Sequence, residues 1–173
     1  MRAALVLALT AAPALSQTGT WELTETASGC STRLVYADQS MVMFFFGHEN
    51  QEMSFYVSHP DMTAEDDVAA PASVGFDDID PWNLPMLGYE VDGFPGAIVS
   101  RGMDDTMELF LEEASGASRL EVRFEAQDRP FVFAIAGAGP GIEEARACFE
   151  DGPPEDGPAT DGAAPQASAA RQG

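Results

Sequence analysis

Lysine is absent from this 173-residue sequence, and all eight basic residues are arginine. The absence excludes enzymes that form a Schiff base on lysine and nucleotide-binding proteins that rely on a P-loop lysine. With 29 acidic residues against 8 basic ones, the formal net charge is −21. Nucleic acids and anionic membrane surfaces attract basic proteins, so we expect neither as a partner. We interpret the acidity as favouring solubility.

Long apolar runs are also missing, since no segment beyond residue 16 reaches the roughly 18 apolar residues of a membrane helix. The N-terminus has one basic residue, Arg2, then an apolar stretch that ends in the small residues of Ala14-Leu15-Ser16. This order is typical of a secretory signal. We predict a cleaved Sec-type signal peptide at residues 1–16, no membrane anchor, and a periplasmic or secreted location. The arginine-only basic set indicates a GC-rich bacterial genome, which favours the periplasm.

Familiar catalytic motifs do not occur. The sequence contains no Gly-x-Ser-x-Gly elbow, no His-Glu-x-x-His, no dinucleotide-binding glycine pattern and no Cys-x-x-Cys. We therefore expect a non-catalytic protein without a resident cofactor. A hydrolase that lacks a recognisable motif is the third alternative, after the two binding functions described below.

The chain has two cysteines, Cys30 and Cys148. An even count in an exported protein favours a disulfide. A bridge between them would close most of the chain into one loop, which contributes about 4 to 5 kcal/mol in the chain-entropy model.

Two apolar segments, Met41 to Phe46 and Met53 to Val57, flank a polar turn and predict a β-hairpin at the centre of the fold. Both faces of the first segment are apolar, so we expect a central strand whose two faces are both covered by other parts of the protein. A helix or a second sheet would cover the second face, and the helix predicted at 104–114 is a candidate.

Arg119 to Glu125 alternates apolar and charged residues, which is typical of a strand with one buried face. Met107, Phe110, Leu111 and Ala114 form one helical stripe. The fold class we predict is mainly β, α+β at most. It is an antiparallel sandwich or a partly open barrel with two short helices, at about 104–114 and 142–149.

The domain organisation follows from composition. We predict one globular β-rich domain at residues 17–150. Residues 151–173 are rich in Pro, Gly, Ala and acidic side chains. Such a composition cannot bury enough apolar surface to offset its ordering entropy, so we predict a disordered tail.

Acidic residues concentrate in two stretches that lack strand alternation, 59–72 and 77–85, the second broken by prolines. They offer oxygen ligands for Ca²⁺, although no EF-hand spacing is present. The candidate ligands are Asp61, Asp66, Asp67, Asp77, Asp78 and Asp80. Cu(I) binding by Met41, Met43 and Met53 near His48 is a weaker metal hypothesis, because Met alternating with Phe also fills cores well.

Trp82 and Phe94 lie in segments that we expect on the surface, and aromatic residues often anchor protein partners. The alternative is that both side chains fold back over the end of a sheet. We predict an exported binding domain whose ligand is an unknown protein partner or a small apolar molecule. A metal-binding periplasmic protein is the alternative. In either case the loops from His59 to Pro85 are the expected location of the function.

Overall fold

The computed structural model describes residues 19–153. The predicted signal peptide lies outside the described residues, and so does the predicted tail from residue 154 onward. Residues 19–153 contain ten strands and two helices. In chain order they are β1 (Glu22–Thr26), β2 (Gly29–Val35), β3 (Met41–Gly47), β4 (Glu52–Ser58), β5 (Ala72–Phe76), β6 (Trp82–Leu84), β7 (Leu87–Val91), β8 (Phe94–Gly102), α1 (Asp105–Gly116), β9 (Arg119–Phe124), β10 (Phe131–Ala134) and α2 (Ala138–Asp151).

The strands form two antiparallel sheets, which confirms the predicted mainly β class and matches the sandwich alternative. Sheet A has the spatial order β1-β2-β3-β4-β8-β7, and sheet B has the order β10-β9-β5-β6. Inward-facing residues of both sheets and both helices meet in one continuous cluster, the main core. Alternation along each strand explains this arrangement, because every second side chain points to the same face.

The predicted hairpin is confirmed. β3 and β4 pair in register, with Phe44 opposite Phe55, and they occupy the middle of sheet A. Val42, Phe44 and Phe46 are fully or almost fully buried and belong to the main core.

The second face of β3 is covered differently from the prediction. It carries a small second cluster of Met41, Met43, Tyr56 and Ile98, against which the half-buried Leu87, Tyr89 and Val91 of β7 pack. Neither helix contributes to this cluster, so the expectation that the helix near 104–114 covers this face is wrong.

Arg33 of β2 lies 3.4 Å from the carboxylate of Asp92 in the β7–β8 turn. The contact shows that the edge hairpin of sheet A bends over the sheet's own outer face.

Helix α1 has the predicted buried stripe of Met107, Phe110, Leu111 and Ala114. Asp104 caps it, since its side chain accepts a hydrogen bond of 2.9 Å from the backbone N–H of Met107. The Phe110 ring lies 5.3 Å from that of Phe55 in sheet A and 5.1 Å from that of Phe76 in sheet B. α1 therefore joins the two sheets through one aromatic side chain.

Two elements differ from the sequence prediction. β6 (Trp82–Leu84) lies in a stretch that we expected to be irregular because of its prolines. It is a three-residue edge strand, a position in which flanking prolines are tolerated. Helix α2 begins at Ala138 rather than near Ile142, since Pro140 falls in the first turn, where its missing N–H is not needed.

The predicted disulfide between Cys30 and Cys148 is confirmed, with the two Cα atoms 6.0 Å apart. It attaches the last turn of α2 to β2. A disulfide indicates an oxidising, extracellular compartment. Within residues 19–153, no helix combines the length and the apolar character that crossing a membrane requires.

Candidate functional site

The connection between β4 and β5 is held along the edge of sheet A. The N–H of Asp67 donates to the carbonyl of Gly88 at 2.9 Å, and the N–H of Gly88 donates to the carbonyl of Val68 at 2.8 Å. The N–H of Ala70 donates to the carbonyl of Met86, also at 2.8 Å. These bonds give the segment a defined backbone position.

Gly88 makes this attachment possible. A Cβ atom at residue 88 would lie 1.9 Å from the carbonyl oxygen of Glu65, a distance that no pair of non-bonded atoms adopts. The other side of the segment is tied to sheet B, because the N–H of Glu125 donates to the carbonyl of Pro71 at 3.2 Å. The segment thus spans the gap between one edge of sheet A and the end of β9.

A pocket of about 390 Å³ lies between this segment and the residues that follow β9. We call it the segment pocket. Its lining residues are Met62, Thr63, Ala64, Glu65, Val68, Ala69, Ala70, Pro71, Phe124, Glu125, Ala126 and Gln127. Met62 and Phe124 are buried at 5% and 6% exposure and form the inner wall, whereas Val68 is 48% exposed at the opening. Most of the lining is apolar, so the pocket suits an apolar group.

Two carboxylates stand at the rim of the segment pocket. Glu65 belongs to the β4–β5 segment and Glu125 to the residues after β9, and both are exposed. In the part of the chain that the structure describes, neither carboxylate has an ion-pair partner. Lysine, arginine and histidine do not occur among the lining residues of the pocket.

Nearby acidic residues make the local potential negative. The pKa of Tyr89 is raised, first by desolvation on burial and then by the charges of Asp66 and Asp67. Those two residues directly follow Glu65 in the chain, although neither is among the lining residues of the segment pocket.

Two larger and more open grooves adjoin the segment pocket and share Gln127 with it. One, of about 450 Å³, runs past Ser73, Asn83 and Arg123. The other, of about 480 Å³, passes His59, whose ring lies 4.8 Å from that of Phe131. Both are more open than the segment pocket, and their linings include arginine as well as carboxylates.

The predicted calcium ligands have varied surroundings. Asp66 and Asp67 lie beside the segment pocket, and Asp61 lies 3.9 Å from His59. Asp77 accepts hydrogen bonds from the backbone N–H groups of Ser118 and Arg119, which lower its pKa.

Asp78 and Asp80 are exposed in the turn before β6. Across residues 19–153, no three or more His, Cys, Asp or Glu side chains are grouped closely enough to hold a metal ion. Calcium binding stays a prediction.

The methionines of the copper hypothesis are split between the two faces of sheet A. Met41 and Met43 belong to the small outer cluster, whereas Met53 is in the main core. His48, the first residue of the turn between β3 and β4, stacks on Phe149 with ring centroids 5.6 Å apart. The three sulfur atoms therefore do not share one face.

Trp82 is half-buried and takes part in packing. Its indole N–H donates to the carboxylate of Glu113 at 2.6 Å, and its ring meets that of Phe110 edge-on at 5.7 Å. Phe94 starts β8, and its carbonyl accepts a hydrogen bond of 2.5 Å from the hydroxyl of Tyr56. The Trp82 contacts agree with the alternative that this side chain covers the end of a sheet, whereas the Phe94 contact involves only its backbone. Partner binding by either residue stays a prediction.

The loops from His59 to Pro85, where we expected the function, supply one side of the segment pocket. The opposite wall, formed by Phe124, Glu125 and Gln127, lies outside those loops. Phe124 was recognisable as the last inward residue of β9. The sequence carried no signal that places it in the same pocket as Met62, because that placement depends on how the two sheets pack.

No family model matches the chain. No curated protein and no solved structure matches it either.

Proposed function

We propose that this protein is an exported, non-catalytic binding domain that holds a small apolar ligand in the segment pocket. The observation that carries the proposal is the pocket itself, an apolar cavity with a buried inner wall of Met62 and Phe124. The disulfide and the apolar N-terminal run after Arg2 support a periplasmic location after cleavage of a signal peptide.

The size of the segment pocket suits a small molecule. Its volume of about 390 Å³ lies within the range of about 300 to 1,000 Å³ that is usual for ligand sites. Each buried methylene group contributes about 0.8 kcal/mol. A ligand that buries about eight such groups gains roughly 6 kcal/mol, which corresponds to a dissociation constant of tens of micromolar before the costs of association.

The lining supports binding rather than catalysis. Thr63 supplies the only hydroxyl side chain among the lining residues, and histidine, cysteine, serine and lysine do not occur there. Nucleophilic catalysis needs an activated nucleophile and a neighbouring base. The rim carboxylates Glu65 and Glu125 are exposed to water, so the pocket does not bury an acid-base pair.

The test uses phenylnaphthylamine, a neutral apolar probe whose fluorescence rises when it leaves water. We expect saturable fluorescence enhancement with the wild-type protein. Val68→Ser removes two methyl groups at the mouth of the pocket and should weaken binding by about threefold to tenfold. The matched control is Val35→Ser, since Val35 is 40% exposed on β2 and Val68 is 48% exposed.

Three results are informative. Weaker binding for Val68→Ser alone supports the segment pocket as the site. Equal weakening in both variants contradicts the assignment of binding to the segment pocket. No saturable fluorescence enhancement in the wild type contradicts the binding of a small apolar ligand.

A further inference from the structure

We propose that the ligand of the segment pocket is an organic cation, a small amine with an apolar body. This inference rests on the proposed function and narrows it to one class of ligand. The juxtaposition that carries it is an apolar cavity with an unpaired carboxylate on each of its two walls, Glu65 on one side and Glu125 on the other. An ammonium group placed at the rim would lie between two negative charges while its apolar body fills the interior.

The nearby arginines do not cancel this charge inside the pocket. Arg123 lines the neighbouring groove together with Glu125, but its ion pair, at 3.2 Å, is with Glu121. Arg129 lines the other groove, beside His59. The lining of the segment pocket itself holds negative charge only.

Acidic residues near the segment pocket also favour a cationic ligand. Asp66 and Asp67 follow Glu65 directly in the chain; desolvation on burial first, and the charges of these two residues second, raise the pKa of Tyr89 on β7. The formal net charge of −21 attracts cations from solution and repels anions. Phe124 in the inner wall presents an apolar aromatic ring to the body of the ligand.

The expected selectivity is moderate. The rim carboxylates are exposed, and solvent weakens ion pairs of exposed groups. Two such contacts together favour a charged amine over a neutral molecule of the same shape by roughly 3-fold to 30-fold. Because the contacts are exposed, added salt should reduce this preference.

The experiment compares phenylbutylamine, phenylbutanol and phenylvalerate, which share one apolar body of a phenyl ring and four methylene groups and differ in charge. Binding to the intact protein is measured by isothermal titration calorimetry in low-salt buffer. We expect the amine to bind most tightly, the alcohol next and the carboxylate most weakly.

The variant Glu65→Gln/Glu125→Gln should bind the alcohol as the wild type does and lose most of the preference for the amine. The matched control is Glu25→Gln/Glu49→Gln, which removes the same charge from exposed positions on β1 and on the β3–β4 turn. β1 and β7 are opposite edges of sheet A, so the control leaves the pocket rim unchanged.

If the amine and the alcohol bind equally, this inference is overturned and the proposed function still stands. If the control variant loses the preference as much as the rim variant does, the net charge accounts for it and the rim assignment is wrong. If none of the three probes binds, both this inference and the proposed function fail.

Discussion

Gly88 and Glu65 approach each other so closely that a Cβ atom on Gly88 would lie 1.9 Å from the carbonyl oxygen of Glu65. Position 88 requires glycine for reasons of space, because the neighbouring atoms belong to the backbone and cannot rotate away. The approach allows the β4–β5 segment to hydrogen-bond with β7, and it places Val68 and Met62 on one side of the segment pocket.

Gly88→Ala should therefore displace the β4–β5 segment. We expect a loss of about 1 to 3 kcal/mol in the free energy of unfolding, from overpacking against backbone. We also expect a loss of phenylnaphthylamine binding. Urea unfolding and probe titration measure the two effects. Gly102→Ala is the matched control, because a Cβ there would meet nothing within 4 Å. Equal behaviour of the two variants would show that the close approach does not position the pocket.

Removal of the disulfide should destabilise the whole domain. Cys30 and Cys148 are 118 residues apart, so the Cys30→Ser/Cys148→Ser variant should lose about 4 to 5 kcal/mol in the chain-entropy model. In urea unfolding, the wild type treated with a thiol reductant should have nearly the same free energy of unfolding as the variant. A change below about 1 kcal/mol would mean that the disulfide adds little constraint to the unfolded chain.

Phe110 should be among the most sensitive positions in the main core. Its ring contacts Phe55 of sheet A and Phe76 of sheet B, and it is fully buried. We expect Phe110→Ala to cost about 3 to 5 kcal/mol. The neighbouring Leu109 is 48% exposed on the same helix. Leu109→Ala should change stability by no more than about 0.5 kcal/mol. Similar losses for both variants in urea unfolding would contradict this account of the core.

Tyr56 should make folding sensitive to alkaline pH. Desolvation on burial raises the pKa of Tyr56 to about 12 from an ordinary value of 10.0. The folded state therefore favours the protonated phenol. The protonated phenol of Tyr56 makes its full contribution to the free energy of unfolding below pH 10. This contribution is lost as the pH rises from 10 towards 12.

Tyr56→Phe removes this ionisation. At neutral pH the variant should lose about 1 kcal/mol, because the hydroxyl no longer donates to the carbonyl of Phe94. Above pH 10 its stability should fall less steeply than that of the wild type, as measured by urea unfolding across the alkaline range. Parallel curves for the two proteins would rule out Tyr56 as a source of the pH dependence.

Elements with strong local periodicity were predictable. The four residues that mark the apolar stripe at 107–114 are the four buried residues of α1, and the alternation of Arg119 to Glu125 corresponds to β9. The hairpin of β3 and β4 was identifiable because two apolar segments flank a polar turn. In these cases local pattern and tertiary packing agree.

Other features depend on packing that no local pattern reports. β6 has three residues, which are too few to show a period. It forms a strand because it pairs with β5. The cover over Met41 and Met43 comes from β7, at the edge of the same sheet. Phe124 and Met62 likewise line one pocket because of how the two sheets pack.

The central claim is that the segment pocket binds a small apolar ligand, and amide chemical-shift mapping by NMR tests it most directly. Titration with phenylbutylamine should perturb the amides of two separate stretches, Met62 to Ala70 and Phe124 to Gln127, while those of β1 and α2 stay unchanged. Perturbations confined to other parts of the domain, or none at saturating probe, would contradict the claim.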